Sequence, residues 1–320
     1  MTSHYGVLHD PSLFRLRVTM ADRRYTINSF TVNLDLPPDV DPRLRVSPRS
    51  AASIERSVEG LFALLNEHDI RATFFISEGA VSSAAATIRR LIDAGHEPAI
   101  LAPRFNTPLD QLLHMREEIS GARARLEDVT GSHVAGIRST PFTNRWRSPS
   151  MLETLVQEGF TYSSSTYPRQ SLSPLLLSRA KRAHRLATPS GVLWELPLTA
   201  WRPLGLGIPS INTAGGPLFS LLPAWVIVRG VEGMNRHGEP AILYVHSWGL
   251  DTVDHTLALR NDGGGTKPYG PIEETLGRLR TVFRIYRFAS IREAFASRLT
   301  TESTGATPLR RTSIQRFDGA

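Results

Sequence analysis

The sequence predicts an α/β fold, one barrel-like domain built around a parallel sheet, and three observations predict it. The first is the stretch Ile70–Pro103. It opens with Arg71-Ala72-Thr73-Phe74-Phe75-Ile76, a run of β-branched and aromatic residues that suits a buried strand. A polar turn (Ser77-Glu78-Gly79) and an Ala-rich segment over 80–94 follow. There Ala84, Ile88, Leu91 and Ile92 fall at helical spacing, and Gly95 stands where a C-cap glycine belongs. Gly95-His96-Glu97-Pro98-Ala99-Ile100-Leu101-Ala102-Pro103 then leads into a second apolar strand, completing a βαβ unit that closes right-handed around a parallel sheet. The second observation is that apolar runs and helical patterns keep alternating downstream. The third is size: 320 residues with 41% hydrophobic content can bury one full core. In such folds the chemistry sits at the C-terminal strand ends, here near Ser77 and Leu101–Asn106.

Taken in order, residues 1–25 read as an N-terminal lead-in, 26–299 as the barrel domain and 300–320 as a polar, basic, disordered tail carrying Arg310-Arg311. Thr26–Leu36 is the expected first strand, stopped by Pro37-Pro38. Asn33 and Asp35, two apart near its end, point to one side. Ser53–His68 carries Ile54, Val58, Leu61, Leu64 and Leu65 at helical spacing. Pro108–Thr130 is a long amphipathic helix ended by Gly131, and Val134–Ile137 is a strand running into Arg138. Ser150–Glu158 is helical up to Gly159, and Phe160–Tyr162 is a strand leading to Ser163-Ser164-Ser165. Gln170–Ser190 reads as an irregular basic insertion, Val192–Pro197 as a strand and Trp201–Gly216 as a Gly/Pro-rich loop. Leu218–His237 is expected to form a helix pair, and Pro240–His246 a buried strand ending in His246-Ser247-Trp248. Arg260–Tyr269, with Gly263-Gly264-Gly265, reads as flexible; Ile272–Tyr286 is the last amphipathic helix, and Arg287–Phe295 closes the domain.

Composition narrows the function classes. The net charge of +7 comes almost wholly from arginine, since Lys181 and Lys267 are the only lysines. No basic stripe interleaved with aromatics accompanies it, so nucleic acid is not an expected partner. With no cysteine, disulfides, thiolate metal sites and Cys nucleophiles are excluded. The polar stretch Met1–Arg24 shows no apolar leader, and Leu218–Val228, interrupted by Pro223, is too short to span a bilayer. A cytoplasmic protein without a transmembrane segment is expected, of a subunit number the sequence does not fix.

Five strand ends carry polar or unusual residues: Asn33/Asp35, Leu101–Phe105, Arg138, Ser163–Ser165 and His246. Their order resembles the NodB-homology polysaccharide deacetylases (carbohydrate esterase family 4), in particular the subgroup linked to bacterial exopolysaccharide export. The resemblance runs from about Asn28 to about Phe295. It is carried by Arg71-Ala72-Thr73-Phe74-Phe75, Ala94-Gly95-His96-Glu97, Glu158-Gly159-Phe160-Thr161-Tyr162, Trp194-Glu195-Leu196-Pro197-Leu198, Gly215-Gly216-Pro217-Leu218-Phe219, Leu221-Leu222-Pro223-Ala224-Trp225 and Ile242-Leu243-Tyr244-Val245-His246-Ser247-Trp248. It implies an irregular (β/α) barrel of about seven strands.

The resemblance also implies a chemistry: an Asp base, a carboxylate and two His holding a divalent metal that activates water, a last-strand His acid, and an Arg orienting the base. Here the base position falls on Asn33, whose amide takes no proton near neutral pH. The carboxylate falls on Asp35, and the two metal-His positions on Leu101 and Phe105, neither of which offers a lone pair. Arg138 and His246 meet their positions, although Thr140 stands where Pro is usual and Ser247-Trp248-Gly249 follows the His. A catalytic zinc needs about three protein ligands, so no metal or other cofactor is expected.

The site residues expected are therefore Asn33, Asp35, Arg138 and His246 as degenerate catalytic positions, with Arg138, Ser164 and Trp248 contacting ligand. Each has a plainer reading: a cap beside Pro37 for Asp35, a salt bridge to Asp35 for Arg138, a hydrogen-bonded core histidine for His246. His96 reads as a structural hydrogen-bonder in its turn, His114 as a helix residue, and Asp251, Asp254 and His255 as a solvated loop. The expected function is a hydrolytically impaired family member that binds an N-acetylated glycan or N-acylated metabolite, or supports polysaccharide assembly. The alternative is an active hydrolase of carbon–nitrogen bonds with shifted ligands (Asp35, His246 and the 251–255 loop), which would need a zinc-type metal. Metal-independent catalysis, with Arg138 gripping an anionic substrate, is a third class.

Overall fold

The computed structural model describes residues 26–35, 51–102, 112–139, 148–167, 182–201, 211–216, 219, 221–250, 258–260, 266–268 and 272–300. The lead-in and the tail beyond Thr300 lie outside them. In chain order the elements are β1 (Asn28–Leu34), α1 (Ala51–Glu67), β2 (Thr73–Ile76), α2 (Glu78–Ser83), α3 (Ala85–Asp93), β3 (Glu97–Ala102), α4 (Leu112–Thr130), β4 (Gly136–Ser139), α5 (Pro149–Gln157), β5 (Tyr162–Ser163), β6 (His184–Thr188), β7 (Gly191–Glu195), β8 (Ala200–Trp201), β9 (Ile211–Asn212), α6 (Ala224–Asn235), β10 (Ile242–His246), β11 (Ala258–Arg260), β12 (Thr266–Pro268), α7 (Ile272–Ile285), β13 (Phe288–Ala289), α8 (Ile291–Ala294) and α9 (Ala296–Leu299). A short 3-10 turn, Ser247–Leu250, follows β10.

The main sheet runs β10-β1-β2-β3-β4-β5-β7-β6, with β13 also paired to β1. All of its pairs are parallel except β6–β7. The α/β class and the βαβ unit are as the sequence predicts. Each central strand is buried on both faces, as parallel sheets flanked by helices must be. Phe30, Val32 and Leu34 of β1, Phe74 and Ile76 of β2, Ile100 and Ala102 of β3, and Leu243 and Val245 of β10 pack toward the helices. The alternate residues Phe75, Ala99, Leu101, Ile242 and Tyr244 join Tyr162, Leu196, Leu198, Ile291 and Phe295 in a second, inner cluster. Period-two alternation therefore assigns side chains to the inside or the outside of the curved sheet.

Beyond β7 and at β10 the two ends of the sheet are linked by isolated bonds. Thr199 N–H donates to the Ile242 carbonyl at 3.2 Å, and Ile242 N–H donates to Thr199 Oγ1 at 2.7 Å. Tyr244 N–H reaches the Ala214 carbonyl at 2.7 Å. Gly215 lies so close to β10 that a Cβ there would fall 1.9 Å from the Tyr244 carbonyl oxygen. No continuous ladder joins β7 to β10 among the described residues.

The N-terminal end of the interior is plugged by a buried anion. Glu97 accepts hydrogen bonds from Thr73 Oγ1 (2.7 Å), Tyr162 Oη (2.9 Å) and the Arg292 backbone N–H (2.9 Å), with Arg292 Nε at 3.7 Å. Thr73 Oγ1 in turn accepts from Ile291 N–H at 2.7 Å, so α8 is tied across this end. Burial, then the charge of Glu97, pushes the Tyr162 hydroxyl well above its usual range.

Several elements differ from the sequence reading. The helix expected over 80–94 is two, because Ala84 leaves helical dihedrals (φ −139, ψ 38) behind Ser82-Ser83, residues that compete for backbone hydrogen bonds. Residues 184–188, expected to be irregular, form an edge strand; its alternately exposed side chains give almost no apolar stripe to read. Within Arg260–Tyr269, read as flexible, residues 266–268 pair antiparallel with residues 258–260. The fourth strand is Tyr162–Ser163, two residues later at its start. The expected helix pair is represented by α6 behind Pro223, and residues 217, 218 and 220 lie outside the described set.

His96 takes the structural role expected of it. Its Nδ1 accepts Ala72 N–H at 3.0 Å, which leaves the ring neutral with its proton on Nε2, and Phe62 and Phe74 pack edge-on against it. Burial, followed by the charge of Arg71, lowers its pKa to about 4. The unfolded chain therefore takes up this proton first as pH falls. The stability contribution is complete above about pH 6.5 and is lost between there and about pH 4, roughly 3 kcal/mol in all. His96→Asn keeps an acceptor for Ala72 without titrating. Its stability in denaturant titrations should fall by about 3 kcal/mol less than the parent's between pH 7 and pH 4; identical slopes would refute this.

Candidate functional site

The C-terminal ends of β1, β4, β5 and β10 bring Asn33, Asp35, Arg138, Ser164 and His246 to one end of the interior. Arg138 is the organising side chain and is fully buried. Its Nε donates to the Ser164 carbonyl (3.0 Å) and Nη2 to Ser164 Oγ (3.0 Å), while Nη1 donates to both Thr31 Oγ1 (2.9 Å) and Asn33 Oδ1 (2.9 Å). Thr31 can accept because its own hydroxyl proton goes to the Leu243 carbonyl (2.9 Å). The guanidinium carbon lies 3.9 Å above the Phe75 ring and 5.6 Å from that of Tyr244. Burial lowers its pKa to about 10, so Arg138 stays charged at neutral pH. The salt bridge to Asp35 that the sequence left open is not made: the hydrogen-bond acceptors of the guanidinium are all neutral.

Asp35 pairs instead with His246, whose Nδ1 lies 3.2 Å from Asp35 Oδ1. The backbone around Asp35 is clamped by Ser247, whose Oγ donates to the Asp35 carbonyl (3.1 Å) and accepts its N–H (3.4 Å). The imidazole is packed by Trp248 (centroids 4.9 Å apart) and Tyr244 (5.5 Å). Trp248 is itself buried, its ring against His246. A cavity of about 10 Å³, lined by Gly216, Phe219, Val245, Gly249 and Thr275 among others, adjoins His246.

The described residues do not fit the divalent metal that the family resemblance implies. Leu101, the register partner of Arg138, is buried hydrocarbon, and Phe105 lies outside the described residues. Asn33 is committed to Arg138 and Asp35 to His246. His96 is bonded to Ala72, and His114 is exposed on α4 beside Glu118 (2.9 Å). Asp251, Asp254 and His255 lie outside the described residues. Among those described, no three His, Cys, Asp or Glu side chains gather where an ion could be held.

Sequence reasoning missed some residues that matter here. Thr31 was legible, since it continues the inner face two residues before Asn33. Phe75 and Tyr244 read as ordinary core. Glu195 is buried, accepts Ser165 N–H (3.1 Å) and the Thr166 hydroxyl, and burial raises its pKa. Ser163 and Ser165 share a hydrogen bond (2.8 Å), and Ser165 Oγ accepts Ser139 N–H (3.0 Å). Of the three serines, Ser164 therefore faces Arg138 while its neighbours fix the strand ends. Arg138→Lys keeps the charge but offers one ammonium to four acceptors. It should cost about 3 kcal/mol of stability in urea titration, and a loss below about 0.5 kcal/mol would contradict the bonding described.

Comparison with known proteins agrees with this architecture. Residues 52–162 match the polysaccharide deacetylase family, and residues 164–296 match a domain of unknown function, DUF3473. No curated protein matches the chain in sequence. Among solved structures, an assigned polysaccharide deacetylase from Mycobacterium smegmatis is 19% identical, with 84% of this chain and 88% of that chain covered and a TM-score of 0.56. Another from Pseudomonas aeruginosa PAO1 is 15% identical, with 88% and 93% covered and a TM-score of 0.56. The Puue allantoinase is 16% identical, with 85% and 90% covered and a TM-score of 0.55. No helix among the described residues is long and apolar enough to cross a membrane. Residues 52–162 thus match the polysaccharide deacetylase family, and the chain shares its α/β fold with these structures.

Proposed function

We propose that this chain binds an N-acetylated glycan or N-acylated metabolite at the strand ends around Asn33 and His246, without the metal-dependent hydrolysis that the family resemblance implies. The unit that does so is taken as residues 26–299. The observation that carries this reading is the Asn33 carboxamide held by Arg138 at 2.9 Å, where the resemblance places a carboxylate base. An amide cannot accept the proton of an attacking water near neutral pH. The buried hydrocarbon of Leu101 supports the same reading from the metal side of the site. The fragments that carry the resemblance, between about Asn28 and about Phe295, favour the exopolysaccharide-associated subgroup, and a polymer under assembly is then the natural ligand.

A second reading is favoured by the 3.2 Å contact between Asp35 and His246. A carboxylate that fixes an imidazole can serve a working carbon–nitrogen hydrolase. It predicts lost turnover in both His246→Ala and Asp35→Ala.

The two readings part on purified protein. Elemental analysis should find metal well below one equivalent, and tri-N-acetylchitotriose should be bound, by calorimetry, with no acetate released in the presence or absence of added zinc. Stoichiometric zinc, nickel or cobalt that activates deacetylation would overturn the first reading. Full turnover in both alanine variants would overturn the second.

A further inference from the structure

We infer that Asn33 Nδ2–H and His246 Nε2 form a matched donor and acceptor that holds a sugar hydroxyl; this rests on the glycan-binding reading above and names the group recognised.

The two residues are register partners on the parallel strands β1 and β10. Both project from the inner face, about 5 Å apart at the backbone. Each has one end fixed and the other unused. Arg138 donates to Asn33 Oδ1, which sets the amide so that its NH2 turns away from the guanidinium. Nδ2 is buried and has no hydrogen-bond partner among the described residues. His246 Nδ1 lies 3.2 Å from Asp35 Oδ1, and the tautomer that donates from Nδ1 to this carboxylate carries its lone pair on Nε2. Nε2 makes no hydrogen bond among the described residues. A buried donor left unpaired carries an uncompensated desolvation cost, which a group that accepts from it removes.

The charges behind the pair sharpen it. A cation on Oδ1 makes the Asn33 N–H a better donor, and a carboxylate on Nδ1–H makes Nε2 a better acceptor. The partner that satisfies both must accept from one and donate to its neighbour, which is what a hydroxyl does. A carboxylate has no proton for Nε2. An N-acetyl group is a trans amide whose C=O and N–H point in opposite directions, so it cannot meet two neighbours side by side. A single water would also satisfy the pair, and is the competitor that a sugar hydroxyl must displace.

The test compares tri-N-acetylchitotriose with cellotriose, the same linkage bearing hydroxyls in place of acetamido groups, by calorimetry on the parent and on Asn33→Asp. That substitution keeps shape, replaces the Nδ2–H donor by an acceptor, and gives Arg138 a charged partner. The variant should melt at or above the parent's temperature, which separates the result from misfolding. Both trisaccharides should bind the parent within about threefold of each other, and the variant should bind each at least about tenfold more weakly. Unchanged affinity in the variant would overturn the inference while leaving the glycan reading intact. Binding of tri-N-acetylchitotriose alone would also overturn it, since the acetamido group would then be what is recognised. If neither sugar binds the parent, both this inference and the glycan reading beneath it fall.

Discussion

One buried guanidinium sets the geometry of the upper interior. Taking a charge such as Arg138 out of water costs several kcal/mol after relaxation, and here no carboxylate in contact repays it. The compensation is geometric: four N–H···O bonds, and the face of Phe75 at 3.9 Å. Because those bonds end on Thr31, Asn33 and Ser164, one side chain fixes β1 and the exit of β5 relative to β4. Residues more than a hundred positions apart in sequence become a rigid group. The orientation of the Asn33 amide is a consequence of that rigidity rather than of anything local to β1.

The opposite end of the interior is held by the opposite charge. Glu97 collects donors from β2, β5 and the first turn of α8, and has Arg292 at its rim. Gly136 makes room for this, since a Cβ there would lie 2.1 Å from the Tyr162 ring that caps the carboxylate. The two ends are built differently. Glu97 has a cation within 4 Å, whereas Arg138 relies on neutral oxygens and aromatic faces. An anion paired in this way closes a floor. A cation satisfied only by dipoles leaves those dipoles polarised, and the Nδ2 end of the Asn33 amide has no partner among the described residues.

How much of this was legible in the sequence follows from the range of each interaction. The strands β1, β2, β3 and β10 announce themselves through apolar runs, and alternation within them separates inner from outer faces. Asn33 and Asp35 could be placed on one side for that reason. The resemblance implied Arg138 as the partner of Asn33, but His246 as the partner of Asp35 could not be read, because that requires knowing that β10 lies beside β1 while β4 lies across the interior. The edge strand His184–Thr188 escaped notice because one face meets solvent and only Leu186 packs onto the core. The role of Glu97 was hidden by distance, with Arg292 lying 195 residues further along. The resemblance of the fragments, by contrast, was carried by local words such as Ala94-Gly95-His96-Glu97, which need no tertiary knowledge.

The chemistry of the mouth then turns on a single atom exchange. A carboxylate at position 33 would present one oxygen to Arg138 and a second, outward, as an acceptor able to take a proton. The carboxamide presents its oxygen to Arg138 in the same way, but the outward atom becomes a donor. Asp35, the remaining carboxylate nearby, is turned to His246, and Leu101 adds no lone pair. This end of the interior therefore presents an amide donor beside an imidazole nitrogen rather than a cluster of carboxylate acceptors. Acceptors in a cluster suit a cation and the water it activates; a donor beside an acceptor suits a neutral hydroxylated molecule held by hydrogen bonds. The rings of Phe75, Tyr244 and Trp248 pack around Arg138 and His246.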